Sequence, residues 1–368
     1  MKTNQKVKVT ARNENANDES AKVEVIKLGV DLHASKAVVT AQFDGCPPQP
    51  AQRIATDEYA GWVRQLKEKH PGGKIYACYE AGPCGYWLHR ALEQLGVKNY
   101  VVAPVALNGR RKNDGRDSRA LGEQLDRYVR GHKKAFSVVK VPTPEQEQDR
   151  ALVRHRSALA RALARCAQQG RSLLLLQGRR VRGSWWGKRR WPELQATLAA
   201  WLHDLLADFQ AQAQLLHGQI QAAAVKIAAL AKAKKVDAPH GLGELTGLTL
   251  ELEVLDWHRF NNRREVGSYT GLCAGEFSSG NNRREGSIDK QGNRRVRHAL
   301  VEAVWRLLVW QPDYPPLERL RAAKGQRARK RAVVAVARRL AIDLWRLATG
   351  RTTREKVGLA AAPARRAA

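Results

Sequence analysis

At 368 residues with 43% hydrophobic side chains, the chain is long enough for two or three domains and apolar enough to bury a sizeable core. Its 65 Lys and Arg against 35 Asp and Glu leave a formal net charge of +30, spread along most of the chain, which points to a polyanionic partner, nucleic acid above all. Five scattered cysteines with no C-x-x-C pair argue against a disulfide framework and a structural zinc site. The lack of a long apolar run or a signal-like h-region fits a cytoplasmic, nucleoid-associated protein with no membrane partner.

Residues 1–22 are polar and read as a disordered tail. From 23 to 140 strand and helix signals alternate. The apolar run Val25 to Val30 ends in Asp31, and a second β-prone run, Ala37 to Phe43, closes at Asp44-Gly45, so the two read as a hairpin. Residues 52–55 fit a short third strand. A helix follows with Tyr59, Trp62, Val63 and Leu66 at helical spacing. Lys74 to Glu80 reads as a strand ending in a carboxylate. A helix from Cys84 to Leu95, a strand from Asn99 to Val102 and a helix from Asp117 to Val129 complete an α/β domain with a mixed sheet.

Residues 141–235 differ in character. Leu202, Leu205, Phe209, Gln212, Leu216, Ile220, Ala223, Ile227 and Leu230 are spaced by threes and fours, a heptad-like seam in which Gln212 sets register. Two long helices there form a helical hairpin or an oligomerising coiled coil; an ordinary pair packed within one monomer fits equally well. Their connecting loop holds Arg179, Arg180, Arg182, Trp185, Trp186, Lys188, Arg189 and Arg190. Guanidinium groups that contact phosphates beside indoles that stack on unpaired bases make a nucleic-acid surface. A basic loop whose tryptophans pack on the helices is the plainer alternative. Residues 236–350 open with Gly241-Leu242-Gly243, where glycines let backbone amides approach a phosphate. Basic amphipathic helices, Arg294 to Trp310 and Gln326 to Leu347, follow, and 351–368 read as a mobile basic tail.

Four acids stand out for chemistry. Asp31 and Glu80 end strands. Asp114 and Asp117, three apart, share a face of a helical turn. Carboxylates converging from strand ends and one helix can hold two Mg²⁺ ions about 4 Å apart, as phosphodiester chemistry requires, and Mn²⁺ can replace them. Singly, each acid has an ordinary reading as a strand-end residue, an N-cap or a first-turn acid.

The order Gly-Val-Asp31, Tyr-Glu80-Ala-Gly-Pro and Lys112-Asn-Asp114-Gly-Arg-Asp117 resembles the DEDD catalytic domain of the Piv-like insertion-sequence transposases, which are related to the pilin-gene DNA invertase. Asn113 and Ser118 depart from the family's usual Lys-Thr-Asp-x-x-Asp-Ala. The second half is similar too. It carries Gly241-x-Gly243, Phe260, Tyr269-Thr-Gly-Leu272, Ser279-Gly280, and Gly286-Ser-Ile-Asp-Lys290-Gln-Gly-Asn293 followed by Arg297. Cys273 stands where a proline is usual.

This resemblance implies a ribonuclease-H or RuvC-like catalytic domain at 23–140, a helical hairpin or coiled coil at 141–235, and a mostly helical C-terminal transposase domain at 236–350. It implies a metal site of Asp31, Glu80, Asp114 and Asp117. Ser279, or its neighbour Ser278, would be a nucleophile that forms a phosphoserine link to DNA. Arg283, Arg284, Lys290, Asn293 and Arg297 would lie on nucleic acid or balance the developing charge. Implied partners are DNA at element ends and target, a structured bridge RNA as guide, and further copies of the chain in a dimer or tetramer. A structure-specific nuclease or junction resolvase of the same fold would need the four acids but no serine. An inactive nucleic-acid-binding protein from a decayed element would need neither.

Overall fold

The computed structural model describes residues 23–104, 113–276 and 285–361. The chain divides into two compact units, 1–141 and 142–368.

The first unit runs β1 (Val25–Leu32), β2 (Lys36–Phe43), β3 (Gln52–Ala55), α1 (Tyr59–Lys69), β4 (Lys74–Glu80), α2 (Trp87–Gln94), β5 (Lys98–Val102) and α3 (Asp114–Val129). The sheet order is β3-β2-β1-β4-β5, with β2 antiparallel to β1 and β3, and β4 and β5 parallel to β1. Both faces are covered, which is why β1 reads as a nearly unbroken apolar run. On one face Ile26, Leu28, Val30, Val39, Ala77 and Tyr79 pack with Tyr59 and Val63 of α1 and Leu88 and Leu92 of α2. Helix α2 begins at Trp87, three residues later than its sequence suggests, because Gly85 sits at φ +68°, a left-handed conformation that closes a turn rather than continuing a helix.

The other face carries α3, and the fit follows a simple rule. Alternate strand residues advance about 6.6 Å and every fourth helix residue about 6 Å, so the two stripes keep step. Lys27 Nζ, buried, meets Asp126 Oδ1 at 2.6 Å. Two residues along β1 and four back along α3, Gly29 lies against Gly122 and Ser118, and Ser118 Oγ is 2.9 Å from Thr40 Oγ1. The next step brings Asp31 to the end of α3 that holds Asp114. A parallel stripe on β4 starts with Cys78, whose Sγ donates to the Leu121 carbonyl at 3.4 Å.

The second unit opens with α4 (Pro144–Leu176), started by a capping box of Thr143 and Gln146 with Pro144 in the first turn. Then come α5 (Arg190–Gln195) and α6 (Ala200–Ala233). Helices α4 and α6 lie antiparallel. Leu174 packs near Leu202 and Leu206, Cys166 Sγ meets the Phe209 carbonyl at 3.2 Å, and Val153 packs with Ile227 and Ala231. The seam differs from the expected one. It runs through Leu202, Leu206, Phe209, Ala213, Leu216, Ile220, Ala223, Ile227 and Ala231, while Leu205 and Gln212 are exposed. Ala213 lets the helices close in where a longer side chain would hold them apart, so Gln212 cannot set the register.

The connecting loop also corrects an expectation. Trp185 is only 1% exposed and Trp186 8%, so neither indole is free to stack on a base. Trp185 lies over Gly170 of α4, where a Cβ would come within 2.1 Å of its ring, and its Nε1 donates to the Ala167 carbonyl at 2.9 Å. The basic side chains of Arg180, Arg182, Lys188, Arg189 and Arg190 remain exposed, while Arg179 is half-buried and holds Thr197.

The rest of the unit is α7 (Gly243–Val254), α8 (Arg263–Thr270), β6 (Ala274–Glu276), β7 (Glu285–Ile288), α9 (Arg294–Trp310), α10 (Glu318–Arg321), α11 (Gln326–Ala348) and α12 (Arg354–Val357). Its core is built on α9 and α11, with Leu300, Val304, Leu307, Val336, Leu340 and Trp345 buried together. Residues 351–361 do not form a mobile tail. Val357 and Leu359, just before the Ala/Arg-rich end, are buried in this core and anchor the segment, and Ala361 bridges to Pro239. No helix among the described residues is long and apolar enough to cross a membrane.

Candidate active site

Asp31 is the next-to-last residue of β1. Val30 pairs with Tyr79 of the parallel strand β4, so Asp31 and Glu80 follow in the same register on neighbouring strands. A tight turn then returns the chain, with the His33 amide donating to the Lys36 carbonyl at 2.9 Å. Thr56 Oγ1 donates to the His33 carbonyl at 2.9 Å and secures the turn. His33 Nε2 thereby stands 3.1 Å from Asp31 Oδ2 and 3.8 Å from Asp114 Oδ2. Lys36 Nζ donates to Asp114 Oδ2 at 2.7 Å. Asp114 is placed by the start of α3, where the Asn113 side chain accepts from the Gly115 amide as N-cap.

Ligand atoms of Asp31, His33 and Asp114 lie within 4.8 Å of one another, and all three residues are partly exposed. Glu80 and Asp117 are not part of this group. Asp117 lies four residues before Leu121 and Glu80 two after Cys78, so both follow the second stripe between β4 and α3. The structure therefore brings together two of the four expected acids and adds a histidine and a lysine that the sequence reading passed over. Their signal was present: Asp31 and His33 alternate onto one side of a strand end, and Lys36 follows a two-residue turn.

The donor set suits a divalent cation. Two carboxylates are hard oxygen ligands of the kind Mg²⁺ takes, and an imidazole broadens the set toward Mn²⁺. The Lys36 ammonium already holds a cationic place on Asp114. Its hydrogen bond, more than any other influence, keeps the Asp114 carboxyl below the usual carboxylate range. In Lys36→Gln the Asp114 carboxyl should titrate at a higher pH, closer to an ordinary aspartate, as carbon-detected NMR would read directly.

In the second unit the candidate segments gather round a buried acid, Glu253, at the end of α7. Arg154 Nε and Nη2 reach its two oxygens at 3.0 and 3.1 Å, and Arg150 Nη2 donates at 3.3 Å. Asn293 Nδ2 donates to Glu253 Oε2 at 3.1 Å and to the Tyr269 hydroxyl at 3.0 Å, while Asn293 Oδ1 caps α9. The Tyr269 hydroxyl in turn donates to the Glu253 carbonyl at 2.5 Å. Both ends of the Asn293 amide are thus engaged within the chain, so its expected role on nucleic acid is not what this geometry offers. Arg297 Nη1 donates to the Thr270 carbonyl at 3.0 Å. Gly292 fits so tightly on this segment that a Cβ would lie 2.2 Å from the Gly271 amide nitrogen. Lys290 is exposed, at φ +58°.

Strands β6 and β7 pair through Ala274 and Ile288. Ser278, Ser279, Arg283 and Arg284 fall between them, outside the described residues. Gly241, at φ +83°, is required by packing: a Cβ there would meet Trp310 at 2.6 Å, and its carbonyl accepts from Arg306 Nε at 2.5 Å. Gly243 opens α7 at φ +73°.

Comparison with known proteins adds a family. Residues 233–316 match the family described as Transposase IS116/IS110/IS902 family. The chain is similar to two putative transposases of Sinorhizobium fredii. It is 29% identical to y4rJ over 366 residues, 87% of this chain and 91% of the relative. It is 30% identical to y4qE over 301 residues, 80% of this chain and 71% of the relative. It is also 26% identical over 322 residues to the transposase for insertion sequence element IS1111A of Coxiella burnetii, covering 82% and 84% of the two chains.

Proposed function

Because the chain belongs to the IS116/IS110/IS902 family of insertion-sequence transposases, we propose that it cuts and rejoins DNA at element ends with chemistry centred on Asp31 and Asp114. The observation that carries this is the meeting of Asp31, His33 and Asp114 at the open end of a mixed sheet in a chain of +30 charge. A sheet of three antiparallel strands extended by two parallel ones supports a ribonuclease-H or RuvC-like reading of the first unit.

Asp31 and Asp114 would hold the divalent cation, with Glu80 and Asp117 on the adjoining stripe. Such an ion, when bound, supplies charge stabilisation to a phosphodiester and acidifies an attacking oxygen. His33 keeps the Asp31 carboxylate oriented toward Asp114, and Lys36 balances the acids' charge. In the finer reading, the Ser279 hydroxyl attacks a DNA phosphorus, displaces one strand oxygen and becomes a phosphoserine, and joining reverses the exchange. A structured guide RNA belongs to the same proposal. The exposed Arg180, Arg182, Lys188, Arg189 and Arg190 offer charge for it.

The test is a strand-transfer assay with element-end DNA in Mg²⁺, with and without a transcript of the element's non-coding end. Asp31→Asn and Asp114→Asn should each slow cleavage at least ~100-fold, about 2.7 kcal/mol of transition-state stabilisation. Ser279→Ala should abolish the covalent protein–DNA adduct. Wild-type cleavage by the Asp31→Asn, Asp114→Asn double variant would sink the acid-centred reading. Normal cutting and joining by Ser279→Ala would sink the serine step alone.

A further inference from the structure

A cavity of about 490 Å³ lies in the second unit, between the start of α8 and the second half of α11. Neither candidate site uses it. Arg263, Arg339, Arg346 and Arg351 line it, with Trp345 and Asn262. Two carboxylates border this wall and both are engaged. Asp343, 1% exposed, accepts from Arg339 Nε at 2.9 and 3.1 Å and from the Tyr314 hydroxyl at 2.9 Å. Glu265 accepts from Asn261 and Asn262 at the start of α8. Asp343 Oδ1 also lies 3.9 Å from Arg346 Nη1, so four guanidiniums share two carboxylates and the wall keeps a net positive charge.

Trp345 gives the site its second character. The Arg351 guanidinium stacks over its ring at 4.3 Å, and Arg351 itself is exposed, so its outer face is open. Trp345 is itself only 4% exposed, so it is the fixed backing of that guanidinium plane rather than a surface that meets a ligand.

Paired guanidiniums grip phosphate oxygens, and an unstacked base lies well on an arginine plane. The volume suits one nucleotide and is too small for a duplex. We propose that this cavity takes a single unpaired nucleotide of a nucleic-acid strand, with its phosphate on Arg263 and Arg346 and its base on the Arg351–Trp345 stack. The choice of a nucleic-acid ligand rests on the transposase reading. The binding test below is run in EDTA, so failure of the Asp31 and Asp114 chemistry leaves its readout unchanged.

The full chain is titrated into labelled 12-nucleotide single strands, one DNA and one RNA of the same sequence, and a blunt duplex, at salt high enough to suppress general polyelectrolyte binding. Arg351→Leu removes the exposed guanidinium plane from over Trp345 and leaves the core untouched. It should weaken single-strand binding about 5-fold, while its melting temperature stays level. Arg263→Gln with Arg346→Gln should weaken binding at least about 10-fold and reduce the log–log salt slope by about 0.7, one phosphate's share. Strands carrying 5-iodouracil should crosslink to the peptide that contains Trp345 and Arg351, and the strand that crosslinks better identifies DNA or RNA as the source. Wild-type affinity of Arg351→Leu for both strands, or no crosslink to that peptide from either, overturns the proposal. Equal sensitivity of the duplex to these variants overturns the unpaired-nucleotide assignment.

Discussion

Glu253→Ala should destabilise the second unit by about 3–5 kcal/mol, a large share of the ~5–15 kcal/mol that holds a typical domain. The carboxylate is 5% exposed and Arg150 8% exposed, so removing the acid strands a buried guanidinium whose Nε already lacks a partner. Glu253→Gln keeps part of the hydrogen bonding and should lose less. Pairing Glu253→Leu with Arg150→Met, which removes both charges, should recover part of the loss, since apolar replacement of a buried pair is often tolerated. Urea unfolding would rank the three.

The same acid gives a pH signature. Burial pushes the Glu253 carboxyl up, but the hydrogen bonds and charge of Arg154, with Asn293 and Arg150, outweigh it and hold the group below its ordinary value of 4.5. A depressed folded-state value contributes stability that is present above 4.5 and is lost as pH falls through the lower folded value. The wild type should therefore lose stability on acidification below 4.5 more steeply than Glu253→Gln. The network also ties α4 to the segments that flank Ser279. Under the proposed serine step, Glu253→Ala should accordingly depress adduct formation even where the unit stays folded.

The acid network and the metal-type cluster differed in how far they could be read beforehand. Strands β1, β2, β4 and β5 are legible because burial on both faces leaves short, nearly unbroken apolar runs, and α9 and α11 because their amphipathic spacing is long. The start of α3 was read three residues late because its signal is a cap, Asn113, rather than an apolar face. His33 and Lys36 are harder to read because they lie just outside the two apolar runs of the hairpin, and only its tight turn carries their side chains onto Asp31 and Asp114. The seam of α6 is displaced by one residue because Leu205 and Leu206 carry the same side chain and a small Ala213 gives no apolar signal of its own, so spacing alone does not pick the contact. Composition made the tryptophan loop look like a stacking surface; what it lacked was the slot that Gly170 leaves for Trp185. Glu253 carries the same signal as Asp31, a charge inside an apolar run, between Leu252 and Val254.

Gly29→Ala should cost roughly 3 kcal/mol or more, at the upper end for inserting a methyl group into a packed interior. A Cβ at Gly29 would lie 2.2 Å from the Gly122 nitrogen and 2.3 Å from the Ser118 carbonyl oxygen, against at least 3.4 Å for ordinary contact. Both neighbours are backbone, so no side chain can swing aside and α3 itself must lift. Lifting it strains the 2.6 Å pair of Lys27 with Asp126 and the 2.9 Å bond of Thr40 with Ser118, and carries Asp114 away from Asp31. The partner position provides the control. A Cβ at Gly122 would find its nearest atom, the Gly29 nitrogen, at 3.8 Å, because the helix directs that bond past the strand rather than into it. Gly122→Ala should be tolerated, and the helix-propensity gain of up to about 1 kcal/mol could raise stability. Thermal melts of the two variants should move apart, and Mn²⁺ binding followed by electron paramagnetic resonance should weaken only in Gly29→Ala. If both alanines leave stability and Mn²⁺ binding unchanged, α3 is not what aligns the two acids, and the stripe-matching of β1 with α3 is wrong.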